Sequence, residues 1–199
     1  ILSNISLNIK PKNRLLVKGD SGSGKSSLLR LIAGVIEPTK GKLYLDKYLL
    51  SNINLNHYRS HLGLSLADET PFEGTIRENI TIGNSDISDE QLMWAMENVG
   101  LNQFVKESPQ GLNTVLYPEG KQISFTVAKK IVLARAIVSK PKVLILEDPL
   151  EHFEPEEVDK IIAFLTNAAN PWALVVVSMS NDWSKSCTQV VTLKKGEII

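Results

Sequence analysis

Gly19-Asp20-Ser21-Gly22-Ser23-Gly24-Lys25-Ser26 fits the pattern G-x-x-x-x-G-K-[ST], and its reading decides the fold. A strand-like run, Leu15-Leu16-Val17, leads into it, and a helical stretch carrying Leu28, Leu29, Leu31 and Ile32 leaves it. Glycines at these spacings let the backbone curl so that successive N–H groups face an anion. The helix that follows adds its N-terminal dipole at the same point. Lys25 is expected to reach the β- and γ-phosphates, and the Ser26 hydroxyl to ligate Mg²⁺. Gly19, Asp20, Ser21, Gly22, Ser23, Gly24 and Ser27 complete the expected binding set. The expected ligand is a nucleoside triphosphate with Mg²⁺.

Outward from this loop, further short apolar runs repeat the theme. Leu15 to Val17, Val143 to Leu146, Ala173 to Val177 and Val190 to Leu193 are continuously hydrophobic, as strands of a parallel sheet covered on both faces must be. Gly41 to Leu45 and Leu62 to Leu66 are further candidate strands, and Ile5, Leu7 and Ile9 alternate with polar residues as in an amphipathic strand. Helical stripes run through Val158, Ile161, Ile162 and Leu165, through Val127, Ile131, Ala134 and Val138, and more briefly through Leu92, Met96 and Val99. The stretch from Pro71 to Val138 shows helices and loops without a convincing strand. The expected fold is therefore α/β: a P-loop NTPase core from residues 1–70 and 139–199, interrupted by a helical subdomain over 71–138.

Composition narrows the class. The 199 residues carry 22 Lys+Arg and 22 Asp+Glu, a zero balance that argues against a dedicated nucleic-acid binder, which needs a basic face. Cys187 is the sole cysteine, so an internal disulfide is excluded. No apolar run approaches the ~18 residues of a membrane span, so a link to a membrane has to run through another segment or partner. No signal peptide or low-complexity tract is recognisable. The chain starts at Ile1 within a strand pattern and ends on Ile198-Ile199 after a turn, so both ends are expected to be cuts in a longer polypeptide. The P-loop alone leaves several enzyme classes open. No Asn-Lys-x-Asp element for guanine follows, and Arg135 is the one arginine in the second half, against the arginine-rich lid of small-molecule kinases.

The remaining motifs point to one family. Pro71-Phe72-Glu73-Gly74-Thr75-Ile76-Arg77-Glu78-Asn79-Ile80, Pro109-Gln110-Gly111-Leu112-Asn113-Thr114, Leu133-Ala134-Arg135-Ala136 and Lys140-Pro141-Lys142 occur in the order found in ATP-binding cassette (ABC) exporters. The chain resembles the nucleotide-binding domain of that family over essentially its whole length. The resemblance implies a RecA-like core with an α-helical subdomain, ATP and Mg²⁺ as ligands, and a transmembrane domain in the same polypeptide. It also implies a second nucleotide-binding domain, so that each ATP lies between one P-loop and the partner's signature loop, at the cytoplasmic face of a membrane. In such a transporter Pro71 to Ile80 would meet the transmembrane partner, with Phe72 either an exposed anchor or an ordinary core residue.

Against the family pattern, several chemically important positions differ. The Q-loop glutamine aligns with Ala67, beside Asp68. The signature Leu-Ser-Gly-Gly-Gln reads Ile123-Ser124-Phe125-Thr126-Val127, keeping Ser124 as a candidate donor to a γ-phosphate bound by the partner. Walker B ends in Glu147-Asp148, the reverse of Asp-Glu, which makes Glu147 the expected Mg²⁺-side acid and Asp148 the expected, shortened catalytic base. The switch histidine aligns with Met179, which has no donor to offer. The D-loop reads Glu151-His152-Phe153-Glu154, with His152 a contact residue, and the adenine-stacking aromatic of the family would precede Ile1. His57 and His61 share a helical spacing that could hold a metal, with no third ligand nearby in sequence. Three functions follow as expectations: an exporter ATP-binding domain with slow hydrolysis, a nucleotide-gated binding module without useful turnover, or an unusual but competent ATPase. Cargo, transport direction and the identity of the partner are not encoded in this stretch.

Overall fold

The computed structural model describes residues 2–199; Ile1, the expected cut start, lies outside the described residues. The elements in chain order are β1 (Arg14–Lys18), α1 (Lys25–Ile32), β2 (Tyr44–Leu45), β3 (Tyr48–Leu49), α2 (Leu55–Arg59) and β4 (Leu62–Ser65). There follow β5 (Gly74–Thr75), α3 (Ile76–Thr81), α4 (Asp89–Asn98), α5 (Asn102–Glu107), β6 (Val115–Leu116) and α6 (Phe125–Ile137). The chain closes with β7 (Val143–Glu147), α7 (Pro155–Leu165), β8 (Ala173–Val177), β9 (Gln189–Lys194) and β10 (Glu197–Ile198).

Six strands make the central sheet in the order β10-β9-β1-β8-β7-β4. All neighbours are parallel except the β9–β10 edge pair. The continuous apolar runs are explained by alternation onto two covered faces. Leu16, Leu144, Leu146, Leu174 and Val176 enter one core with α3, α4, α6 and α7, whereas Leu15, Val17, Ile145, Val175 and Val177 enter a second core with α1. Burying each such side chain contributes roughly 1.5–3 kcal/mol, so the three central strands alone anchor the domain. Because β1 lies in the middle of the sheet, the loop after its C-terminal end is held by neighbours on both sides.

Four details differ from the sequence reading. Ile5, Leu7 and Ile9 do pack on the α1-side core, but no strand forms there. The ties to the rest of the chain include Ser3 N–H to Gly196 O at 2.8 Å, which is no ladder. Of Gly41 to Leu45 only Tyr44–Leu45 is extended, paired with Tyr48–Leu49 in a small hairpin outside the central sheet. β9 is not covered on both faces: Val190 is 48% exposed, as befits a strand whose outer neighbour has two residues. The segment between β4 and β7 is not strand-free, because Gly74–Thr75 pairs antiparallel with Val115–Leu116.

Within that segment one polar side chain organises the turn into α3. Asn79 is fully buried. Its Oδ1 accepts from Phe72 N–H at 2.9 Å, and its Nδ2 donates to Phe72 O at 2.9 Å and Thr75 O at 3.1 Å. From α6, Arg135 donates to Asn79 O at 2.7 Å and Oδ1 at 3.1 Å, and its guanidinium lies 5.4 Å from the Phe72 ring centroid. Phe72 is consequently held yet 41% exposed, a surface rather than a core phenylalanine. Thr75 caps α3 in a capping box with Glu78.

Candidate nucleotide-binding site

The loop from Gly19 to Ser26 leaves the C-terminal end of β1 and wraps the first turn of α1. Three of its residues use backbone angles that favour glycine: Gly19 (φ 150), Gly22 (φ 77) and Gly24 (φ 105), the last being the N-cap of α1. A Cβ on Gly19 would stand 2.3 Å from Leu193 O and 2.7 Å from Ser23 Oγ, so the loop closes tightly on the sheet only with glycine there. Lys25 folds back over the loop, its Nζ donating to Gly19 O at 2.7 Å and Asp20 O at 2.8 Å. Among the described residues its ammonium has no carboxylate within ion-pair distance. Ser23 Oγ is buried and has no hydrogen-bond partner.

A second element supplies an acid. Glu147, at the end of β7 and buried, accepts from Ser26 Oγ at 2.5 Å through Oε1 and from Ala67 N–H at 3.3 Å through Oε2. The hydroxyl and carboxylate expected to share Mg²⁺ are thus brought together across 121 residues of sequence. These residues fit a triphosphate with Mg²⁺ on three counts. An unpaired buried hydroxyl and an ammonium held by carbonyls face one loop, glycine is required at its base, and the paired hydroxyl and carboxylate are hard oxygen donors of the kind Mg²⁺ takes.

Asp148 follows with a left-handed backbone (φ 40), its N–H donating to Val177 O at 2.9 Å. Partial burial pushes its carboxyl above the ordinary aspartate value, opposed by a hydrogen bond from Ser178, with Glu151 and Glu147 adding to the rise and Lys25 opposing it. Met179 is 59% exposed. Asp68, the neighbour of Ala67, pairs with Arg30 at 3.1 Å on the surface, which is the plain role of a solvated acid.

The segment expected to stand in for the signature motif leads into α6. Ser124 is the N-cap and accepts from Val127 N–H at 3.3 Å, which leaves its own O–H free to donate outward. Phe125 is 49% exposed and meets the His152 ring edge-on at 5.5 Å. His57 and His61 contact each other at 4.8 Å with His61 Nδ1 against His57 O at 2.9 Å; among the described residues no group of three His, Cys, Asp or Glu could hold a metal ion. Three residues with structural work carry no role in the motif reading: Asn79 and Arg135, which hold the 72–75 turn, and Lys129, whose Nζ donates to Ala67 O at 3.0 Å beside the site. The available signal was the pair Lys129-Lys130 set between the apolar runs Val127-Ala128 and Ile131 to Ala134.

Comparison with known proteins agrees with this geometry. A family model described as "ABC transporter" matches residues 2–151. The chain is 31% identical over 196 residues to "ATP-binding cassette sub-family B member 5" of Homo sapiens, covering 98% of this chain and 16% of that protein. It is 28% identical over 199 residues to "Leukotoxin translocation ATP-binding protein LktB" of Mannheimia glucosida, covering 100% of this chain and 28% of that one. Among solved structures, that of a bacterial Atm1-family ABC exporter with ATP bound superposes with a TM-score of 0.92, at 22% identity, over 100% of this chain and 35% of its own. That likeness speaks for the fold. The chain therefore spans well under half the length of each of these relatives. A tight glycine loop under a lysine held by loop carbonyls, a serine–glutamate pair across the sheet and this family match agree: the chain belongs to the ABC transporter family, as an ATP-binding domain of the P-loop NTPase class.

Proposed function

We propose that this domain binds ATP with Mg²⁺ and drives an exporter-type transporter while hydrolysing ATP slowly. The observation that carries the reading is the Gly19–Ser26 loop facing Glu147 through the Ser26 hydroxyl. Gly19, Asp20, Ser21, Gly22, Ser23, Gly24 and Ser27 line the phosphates, and Lys25 exchanges its loop carbonyls for phosphate oxygens. Ser26 and Glu147 hold Mg²⁺. When bound, that ion supplies positive charge against the phosphate oxygens. Phe72 to Thr75, presented by Asn79 and Arg135, is the surface that receives a transmembrane domain at the cytoplasmic side of a membrane. Residues 71–138 act as the helical subdomain that carries this surface and Ser124. A second nucleotide-binding domain completes the site, with Ser124 donating in trans.

Slow turnover is supported by the side chains themselves. Ala67 has a methyl where a water or Mg²⁺ would be held, and Met179 has no donor. Asp148 is a methylene shorter than glutamate, and a misplacement of ~1 Å can cost about 100-fold. Phe125, half exposed at the start of α6, stands where a partner's nucleotide must approach closely. These same features favour the second reading, a nucleotide-gated module without useful turnover. Calorimetric titration tests the binding: Lys25→Ala is expected to weaken ATP·Mg²⁺ at least tenfold, and unchanged affinity refutes the reading. Single-turnover hydrolysis with the natural partner separates the alternatives. A rate of ~1–10 s⁻¹, an ordinary enzyme rate, that disappears in Asp148→Asn would overturn the slow-turnover proposal. No measurable turnover selects the gated module.

A further inference from the structure

Lys129 is a largely buried lysine whose ammonium, though it faces the Glu69 carboxylate across a shared cavity, closes no direct ion pair among the described residues. It lies on α6, 6% exposed, one turn beyond Phe125, with Nζ 5.5 Å from that ring's centroid. Among the described residues it forms no ion pair, whereas the adjacent Lys130 bonds Glu157 at 2.5 Å. Withdrawing an ammonium from water is costly unless something holds it. Its Nζ donates a hydrogen bond to Ala67 O, at 3.0 Å. It also borders a cavity of about 280 Å³ shared with Ala67, Glu69, Glu119 and Phe125, which leaves room for water on its other N–H groups.

The partner of that bond matters. Ala67 presents its carbonyl to Lys129 and its N–H to Glu147 Oε2 at 3.3 Å, while Oε1 of the same carboxylate accepts from Ser26 at 2.5 Å. A continuous line of polar contacts therefore runs from α6, through the backbone of one residue, to the serine–glutamate pair. With a methyl side chain, residue 67 cannot hold itself against the site. Its N–H and C=O lie in adjacent peptide planes joined at Cα, so holding the carbonyl from α6 limits how far residue 67 can swing and with it the N–H that bonds Glu147. We infer that Lys129 is a positioning residue: it pins Ala67 so that Glu147 is oriented for Mg²⁺, coupling the start of α6 to the metal side of the nucleotide site through backbone rather than a Q-loop side chain.

This inference rests on the nucleotide-binding reading above, and two measurements keep their failures apart. The first needs no nucleotide. Hydrogen exchange in the unliganded chain should show the Ala67 amide exchanging about tenfold faster in Lys129→Met, the worth of one net hydrogen bond. Lys129→Arg should restore protection. The second is calorimetry with ATP alone in chelator and with ATP plus Mg²⁺. Outer-sphere partners of a metal site typically contribute 10- to 100-fold in metal affinity. Lys129→Met should therefore bind metal-free ATP as the unmodified chain does but lose ~10-fold of the tightening that Mg²⁺ gives. The melting temperature should fall by no more than about 5 °C, the worth of that one hydrogen bond in a domain of this size. Unchanged Ala67 exchange, or an equal loss of ATP affinity with and without Mg²⁺, overturns the inference. Failure of the unmodified chain to bind ATP in either buffer overturns the nucleotide reading and this inference with it.

Discussion

Replacing Asn79 with leucine, close to it in size, tests how the exposed loop before α3 is held. Asn79 is fully buried and its side chain closes the 72–75 turn with one accepted and two short donated bonds. Leucine would leave Phe72 N–H, Phe72 O and Thr75 O without those partners and remove one of the two acceptors from Arg135. An orphaned buried polar group costs about 1–3 kcal/mol. The three groups here are only partly buried, so about 1 kcal/mol each is the appropriate end of that range. The added apolar contact offsets part of it, leaving a net loss of about 2–3 kcal/mol. For a domain of this size each kcal/mol moves the melting temperature by roughly 2–4 °C, so Asn79→Leu should melt about 5–10 °C lower. Thermal unfolding measures it, with hydrogen exchange at the Phe72 amide as the local readout, expected to lose protection. A shift under about 2 °C with Phe72 still protected would refute the claim that this side chain holds the loop.

Thr75, in the same turn, is not the neutral surface position that its place in a docking segment suggests. It caps α3, so Thr75→Val should destabilise by about 1 kcal/mol, seen as a small but measurable drop in melting temperature, and Thr75→Ser should be near neutral. Asp148 gives a pH signature. Its folded-state value is raised above the ordinary 3.8 by burial, so the folded state binds the extra proton, and stability falls as pH rises from the ordinary value through the raised one. Asp148→Asn removes that penalty. Its melting temperature relative to the unmodified chain should grow more positive across that window; a difference flat from pH 3.5 to 7 would contradict the burial argument.

The fold was largely readable because its decisive signals are local. A P-loop requires consecutive residues, and the flanking strand and helix are visible as the apolar runs Leu15-Leu16-Val17 and Leu28 to Ile32. The doubly covered strands were readable because both faces are buried, which abolishes alternation. What misled was alternation without a partner. Ile5, Leu7 and Ile9 face a core as a strand would, yet strand formation needs a neighbour's backbone, and periodicity carries no information about neighbours. The same holds for Gly41 to Leu45, where pairing extends over two residues a side. Two-residue ladders such as β5–β6 are too short to leave a pattern at all.

The site divides along the same line. Ser26 and Glu147 are each expected at the site from their own motifs, with Glu147 placed by strand alternation as the acid on the loop side, where its carboxylate meets Ser26 Oγ. That Ser26 and Glu147 touch is a fact of topology: β1 and β7 both flank β8, so their C-terminal ends deliver both residues to one edge of the sheet. Nothing comparable announces Lys129 or Asn79. Their partners are backbone atoms, Ala67 O and Phe72 N and O, which every residue possesses and which therefore leave no trace in residue identity. A polar side chain serving a distant backbone is visible only as a polar residue on a buried face. Here that means a lysine pair among the apolar residues of α6, and an asparagine between the fully buried Ile76 and Ile80. The sequence departures gain physical sense in this light. At Ala67, whose methyl offers no hydrogen bond, the backbone is gripped from α6 on one side and by Glu147 on the other. A residue whose side chain cannot hydrogen-bond can still be held in position through its backbone.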